Sequence, residues 1–103
     1  MKPVIIVSTF PDKTSITKIA NQLVKKKLAA CVNIMKISSV YSWKGKIENQ
    51  PEYLALFKTT KKNQLVLKKE LRNLPPYDIP EIAEINVDSI NQAYLKWLVD
   101  STR

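Results

Sequence analysis

The chain has 103 residues, with seventeen Lys and Arg against nine Asp and Glu, and a formal net charge of +8 at pH 7. This length predicts a single domain over residues 1–103, and 45% apolar with 25% charged residues is typical of an ordinary globular chain. With no histidine, one cysteine and one glycine, the chain excludes histidine-dependent catalysis, an internal disulfide and a glycine-rich phosphate loop. The longest aliphatic run, residues 4–7, is too short for a membrane span or a signal-peptide core, so we expect a cytoplasmic protein.

The first elements predicted along the chain are a buried strand and an amphipathic helix. Residues 2–8 hold an aliphatic run without polar alternation, which favours a central strand covered on both faces. Residues 16–28 carry apolar side chains at helical spacing and predict a helix. Asp12, Thr14 and Ser15 are the candidates for its N-terminal cap.

A long hairpin is predicted next. Residues 29–43 favour an extended strand, and a second strand runs over 47–59 with an expected break near 49–51. The turn between them contains Gly45, which can adopt a positive φ. Because an exposed apolar surface is typical of an interaction site, we expect a second subunit to contact the tip of the hairpin. Two aromatic residues are the interface candidates: Tyr41 and Trp43.

The second half predicts a helix, a strand and a closing helix. Residues 60–74 read as a helix that ends before Pro75 and Pro76, residues 81–87 as the fourth strand, and residues 90–98 as a third helix. The resulting order, β-α-β-β-α-β plus a helix, is the ferredoxin-like α+β pattern. It predicts one antiparallel four-stranded sheet with two helices on one face and the third helix over part of the other.

Five segments in this order and spacing resemble the CutA family of divalent-cation tolerance proteins. They are residues 28–34, 39–47, 56–59, 76–82 and 94–97. The resemblance implies a homotrimer, similar in build to the P-II nitrogen-regulatory proteins, in which each long hairpin pairs with a neighbour's sheet edge. It also implies tolerance of copper and other divalent ions, without an enzymatic reaction. This chain departs from the family at Pro75, where many members have His, and at Ser8, where some have Cys, so copper binding through those groups is not carried over.

The family pattern implies a ligand-binding cleft formed by Lys58, Tyr77 and Glu81. An alternative for the same residues is an ion pair between Glu81 and Lys58 that holds the fold.

The one acidic stretch of this basic chain contains the candidate metal ligands. Asp78, Glu81 and Glu84 are the candidates, because hard and borderline cations bind clustered carboxylates. The alternative is a solvated strand edge. Cys31 could bind Cu(I), but a cysteine inside an apolar strand is more often a small buried hydrophobe. No cofactor is required by this interpretation, and any contact with Cu(II) is expected to be weak and oxygen-based.

The leading hypothesis is therefore a non-enzymatic homotrimer associated with divalent metal tolerance and resistant to heat. One alternative is a signalling or scaffold trimer that binds a small anionic metabolite in the intersubunit cleft through lysines such as Lys44 and Lys46. A less favoured alternative is an RNA-binding module of the same element order, since residues 53–58 lack the aromatic pattern of that motif.

Overall fold

A computed structural model describes residues 1–74 and 77–103 of the chain. The elements follow the predicted order, β-α-β-β-α-β and a closing helix. Their bounds are β1 Pro3–Phe10, α1 Lys13–Lys25, β2 Cys31–Trp43, β3 Lys46–Thr60, α2 Gln64–Arg72, β4 Ala83–Asn86 and α3 Gln92–Ser101. Within this part of the chain, no helix is long and apolar enough to cross a membrane.

The four strands form one antiparallel sheet in the order β2-β3-β1-β4. This confirms the ferredoxin-like prediction. One face of the sheet carries the main core, in which side chains of β1 and β3 meet α1 and α2. The core residues are Val4, Ile6, Phe10, Ile16, Ile19, Leu23, Ala29, Ala55, Phe57, Leu67 and Leu71. The helical spacing recognised in the sequence thus corresponds to the buried stripe of α1.

The opposite face of the sheet is only half covered. Alternation along β1 leaves Ile5 and Val7 half-buried between fully buried neighbours, and Leu56 on β3 is half-buried on the same face. The closing helix α3 reaches this face where the ammonium group of Lys58 lies 5.8 Å from the centroid of the Tyr94 ring. The third helix therefore covers one end of the face, as predicted, and leaves the hairpin end open.

Strand β3 runs without a break, so the expected interruption at residues 49–51 is wrong. Pro51 lies opposite Ser38 of β2, whereas pairing of β3 with β1 begins only at Tyr53 opposite Phe10. Proline lacks an N–H, but here only one side of the strand has a neighbour, and edge positions tolerate proline.

Other predicted boundaries also shift, including those of α3, which covers Gln92–Ser101 rather than residues 90–98. Thr60, predicted to begin α2, belongs to β3 because it pairs with Pro3 at the end of the β1–β3 ladder, and α2 itself begins at Gln64. Strand β4 is shorter than predicted, covering Ala83–Asn86. Helix α1 starts at a cap formed by Asp12, one of the three candidates, but ends before Leu28. Lys27 adopts a φ of 62° there, and the N–H of Leu28 bonds back to the carbonyl of Leu23 at 3.0 Å.

The hairpin turn is a two-residue turn with positive φ at both central positions. Lys44 has a φ of 51° and Gly45 a φ of 79°, while Trp43 and Lys46 form the last strand pair. Such a turn matches the right-handed twist of its strands and favours Asn-Gly or Gly-Gly. Glycine satisfies the second position without strain, whereas a lysine occupies the first.

The net charge of the chain is concentrated in the helical layer. Residues 11–28 and 61–74, which contain α1, α2 and their ends, hold ten Lys and Arg but two Asp and Glu. The rest of the chain holds seven of each sign. The layer over the core is thus strongly positive, and the sheet, hairpin and closing helix are together neutral.

Candidate functional site

A cavity of about 560 Å³ lies on the half-covered face of the sheet, beside the hairpin. Its floor is formed by β1, β2 and β3, where Thr9, Ile37 and Leu54 point to the same face. The segment after α2, residues 77–81, forms the remaining wall. The site is therefore built where the part of the sheet face that α3 leaves open meets a connecting segment.

Aromatic side chains supply much of the apolar wall. Tyr41 and Trp43 come from the end of β2, and Tyr77 comes from the connecting segment. Tyr41 and Trp43 are each 39% exposed. Both interface candidates from the sequence therefore line this cavity, and both retain surface that another molecule could cover.

Glu52 is the acidic group at the floor of the cavity. Its side chain is nearly buried, with the residue 8% exposed, and one carboxylate oxygen accepts a 2.6 Å hydrogen bond from the Tyr77 hydroxyl. Burial, together with this carboxylate, raises the pKa of Tyr77 above its ordinary value of 10.0. The phenol therefore stays protonated and remains the donor at neutral pH.

The wall segment is tied to the sheet by Ser8. The hydroxyl of Ser8 donates a 2.7 Å hydrogen bond to the backbone carbonyl of Glu81. Ser8 is the position where the family resemblance allows a cysteine. Here its hydroxyl anchors the backbone of Glu81, a residue that lines the cavity.

The structure brings together some of the predicted ligand residues. Tyr77, Asp78 and Glu81 all line the cavity. Lys58 does not, since its ammonium group lies over Tyr94 of α3. In the described part of the chain no salt bridge joins Lys58 to Glu81, so the ion pair considered from the sequence is not formed.

Glu84 lies away from the other two candidate metal ligands. It pairs with Ile6 on the helix-covered side of the sheet and accepts hydrogen bonds from Lys61 and, at 2.9 Å, from Lys68 of α2. These two ammonium groups lower the pKa of the Glu84 carboxyl below its ordinary value of 4.5. Among residues 1–74 and 77–103, no three Cys, Asp or Glu side chains are grouped to hold a metal ion.

Cys31 is placed differently from the sequence-based expectation. It is the first residue of β2 rather than a residue in the middle of an apolar strand, and it is half-buried. It lies opposite Lys58 in the hairpin register.

Sequence reasoning missed Glu52, although the sequence contained a signal for it. Glu52 stands two residues before Leu54 and four before Leu56, so period-two alternation places an acid in line with apolar side chains. The expected break at residues 49–51 obscured that alternation. An uninterrupted strand would have identified Glu52 as an acid directed at a buried face.

The fold and site define a small ferredoxin-like α+β protein with an acidic, aromatic cavity on its open sheet face. The chain belongs to the CutA1 divalent ion tolerance protein family, whose model matches residues 4–101. A Pyrococcus horikoshii relative named divalent-cation tolerance protein CutA is 41% identical over 100 residues, which are 97% of this chain and 98% of the relative.

Other relatives differ in the compartment that their names give. The Archaeoglobus fulgidus structure, named a periplasmic divalent cation tolerance protein CutA, matches with a TM-score of 0.94 and 32% identity, over 98% of this chain and 99% of that one. An Arabidopsis thaliana relative named protein CutA, chloroplastic, is 37% identical over 97% of this chain and 56% of its own length. None of these three names denotes an enzyme.

Proposed function

We propose that this chain is a non-enzymatic protein of divalent metal ion tolerance that acts as a homotrimer in the cytoplasm. The observation that carries the proposal is the acidic cavity on a fold matched over nearly its full length by the divalent ion tolerance family. Glu52, Asp78 and Glu81 supply carboxylates there, and the described residues of the cavity lining include no Lys or Arg. A local excess of carboxylates favours cations, even on a chain with a net charge of +8.

Copper would be held weakly and through oxygen. Cu(II) prefers imidazole, and the chain has no histidine. Of the three carboxylates proposed from the sequence, Asp78 and Glu81 face the cavity, whereas Glu84 would have to give up two lysine partners. We therefore assign the principal contact to Asp78 and Glu81, with Glu84 outside it.

A Cu(II) titration by calorimetry tests this assignment. Glu81→Gln should weaken binding and Cys31→Ser should leave it unchanged, with Asp100→Asn on the exposed part of α3 as a matched carboxylate control. Binding should fade below about pH 4–5 as the carboxylates take up protons. Loss of binding in Cys31→Ser together with full binding in Glu81→Gln would establish a thiolate site and contradict the proposal.

Trimer formation is supported by the exposed edge and tip of the hairpin. In the described residues β2 is an edge strand of thirteen residues, and its one charged side chain is Lys36. Long edges with few charges pair readily with another chain. At the tip, Val40 is 68% and Ile47 is 70% exposed. Light scattering at micromolar concentration should give three times 11.8 kDa, and a mass near 11.8 kDa would contradict the trimer.

The anionic-metabolite alternative receives no support from this cavity, because its charged lining is acidic. The RNA-binding alternative is likewise disfavoured, since the positive charge is concentrated in the helical layer while the sheet face carries Glu52. RNA recognition motifs instead use the open sheet face as a stacking platform.

A further inference from the structure

We propose that the cavity is a binding site for an organic ammonium ion, a positively charged amine attached to an apolar body. The proposal concerns a different class of ligand from a metal ion and does not rest on the proposed role in metal tolerance. It is argued from the size of the cavity, its aromatic wall and the buried carboxylate at its floor.

The size and the lining fit a small organic molecule. A volume of about 560 Å³ is within the range of small-molecule sites, which combine a mostly apolar lining with a few convergent polar groups. Ile37, Leu54 and Ile79 contribute aliphatic surface to this one. A metal ion held by Asp78 and Glu81 at the wall would leave most of this space free for an organic molecule.

The aromatic wall suits a cation. The faces of aromatic rings attract ammonium groups, Trp most strongly, and the attraction increases when water is excluded. Trp43 already shows this geometry within the chain, since the ammonium group of Lys44 lies 5.8 Å from its ring centroid. Tyr41 and Tyr77 add two further rings to the cavity lining.

Glu52 determines the sign of the ligand's charge. The residue is 8% exposed, and in the described part of the chain its side chain has a hydrogen bond only from Tyr77 and no salt bridge. A buried carboxylate without a counter-ion is costly, so a cation entering the cavity gains an interaction that the free protein lacks. Asp78 and Glu81 add negative charge at the wall and repel anions.

The test compares two probes of similar size and opposite charge, phenethylammonium and phenylacetate. Calorimetry should detect saturable binding of phenethylammonium and none of phenylacetate. Glu52→Gln removes the charge but keeps the shape, and it should weaken phenethylammonium binding by about tenfold or more, the effect of losing a charge-assisted hydrogen bond. Asp100→Asn, away from the cavity, should bind as the unmodified chain does.

A fluorescence measurement locates the bound probe. In a Trp97→Phe background Trp43 is the only tryptophan, so phenethylammonium should change its emission with the same saturation curve. If Glu52→Gln does not fold, as judged by circular dichroism, Trp43→Leu replaces it and should also weaken binding.

Three results would overturn the proposal. The first is that phenylacetate binds as well as phenethylammonium. The second is that the folded Glu52→Gln or Trp43→Leu variant binds phenethylammonium as strongly as the unmodified chain. The third is that the assembled protein shows no saturable binding of phenethylammonium, as expected if a neighbouring copy fills the cavity. Each can occur whether or not Cu(II) binds at Glu81, so failure here is distinguishable from failure of the proposed function.

Discussion

The hydroxyl of Tyr77 donates a 2.6 Å hydrogen bond to the carboxylate of Glu52, which lies twenty-five residues earlier in the chain. The two residues belong to different parts of the fold, Glu52 to β3 and Tyr77 to the segment that follows α2. Because Glu52 is buried and Tyr77 half-buried, the bond is partly shielded from water and links the cavity wall to its floor. Together with the bond from Ser8 to the Glu81 carbonyl, this bond therefore holds the wall segment on the sheet.

Tyr77→Phe should lower the free energy of unfolding by about 1–3 kcal/mol, because it leaves a nearly buried carboxylate without its donor. Urea unfolding followed by circular dichroism measures the change. Tyr41→Phe is the matched control, since Tyr41 is exposed, and it should change stability by less than about 0.5 kcal/mol. Equal effects of the two variants would show that the bond to Glu52 contributes little.

Glu84→Gln should destabilise the chain at neutral pH but not in acid. Lys61 and Lys68 hold the pKa of Glu84 below 4.5 in the folded chain, so the unfolded chain takes up this proton more readily. The stabilisation is therefore complete above the unfolded-state pKa and is lost as the pH falls through the folded-state pKa. We expect a loss of about 1 kcal/mol at pH 7 that shrinks steadily below pH 4.5.

Unfolding of the Glu84→Gln variant and the unmodified chain across this pH range checks the prediction. Asp100→Asn serves as the control, because Asp100 is exposed and its partners Lys96 and Arg103 lie on or beside the same helix. A stability difference for Glu84→Gln that is independent of pH would contradict the ion-pair explanation.

The three residues with positive φ should respond in opposite directions to substitution. Lys44→Asn and Lys27→Gly place residues that tolerate the left-handed region at φ of 51° and 62°, and each should raise stability by about 0.5–1 kcal/mol. Gly45→Ala should lower it by about 1 kcal/mol, through backbone strain alone, because an added Cβ meets no atom within 4 Å. Thermal melts compare the melting midpoints of the three variants with that of the unmodified chain. A lower midpoint for Lys44→Asn would refute the turn assignment.

The proposed trimer should melt above the range of about 45–65 °C that is usual for mesophilic domains. Covering the exposed hairpin tip and the edge of β2 adds roughly 25 cal/mol for each Å² of apolar surface removed from water. Calorimetric melting at several protein concentrations measures this, because subunit association makes the midpoint rise with concentration. A midpoint inside the mesophilic range would contradict the expectation.

The order and type of the elements could be predicted from the sequence because each had a local signal. The stripe of α1, the aliphatic run of β1 and the turn at Gly45 depend on neighbouring residues alone, and all three appear in the structure. The wrong boundaries depend on partners far along the chain. Thr60 is a strand residue because Pro3 pairs with it, and residues 49–51 stay extended because β2 runs beside them.

The candidate site was predicted only in part, for the same physical reason. The family pattern predicts Tyr77 and Glu81 in one cleft, the acidic stretch predicts Asp78 beside Glu81, and all three residues line one cavity. Glu84 also follows them closely, but the alternation of β4 places it on the other face, under Lys68. Closeness along the chain therefore predicted the acidic residues of the cavity wall. Which face of the sheet a nearby residue such as Glu84 points to is decided instead by strand alternation.

The concentration of positive charge in the helical layer gives the chain a permanent electric dipole that points from the sheet towards α1 and α2. Near a negatively charged surface such a molecule rotates before it adsorbs, and the helices arrive first. The sheet, with the cavity and the hairpin of that chain, then lies on the side away from the charged surface. This orientation weakens as ionic strength rises and the screening length shortens to about 8 Å at physiological salt.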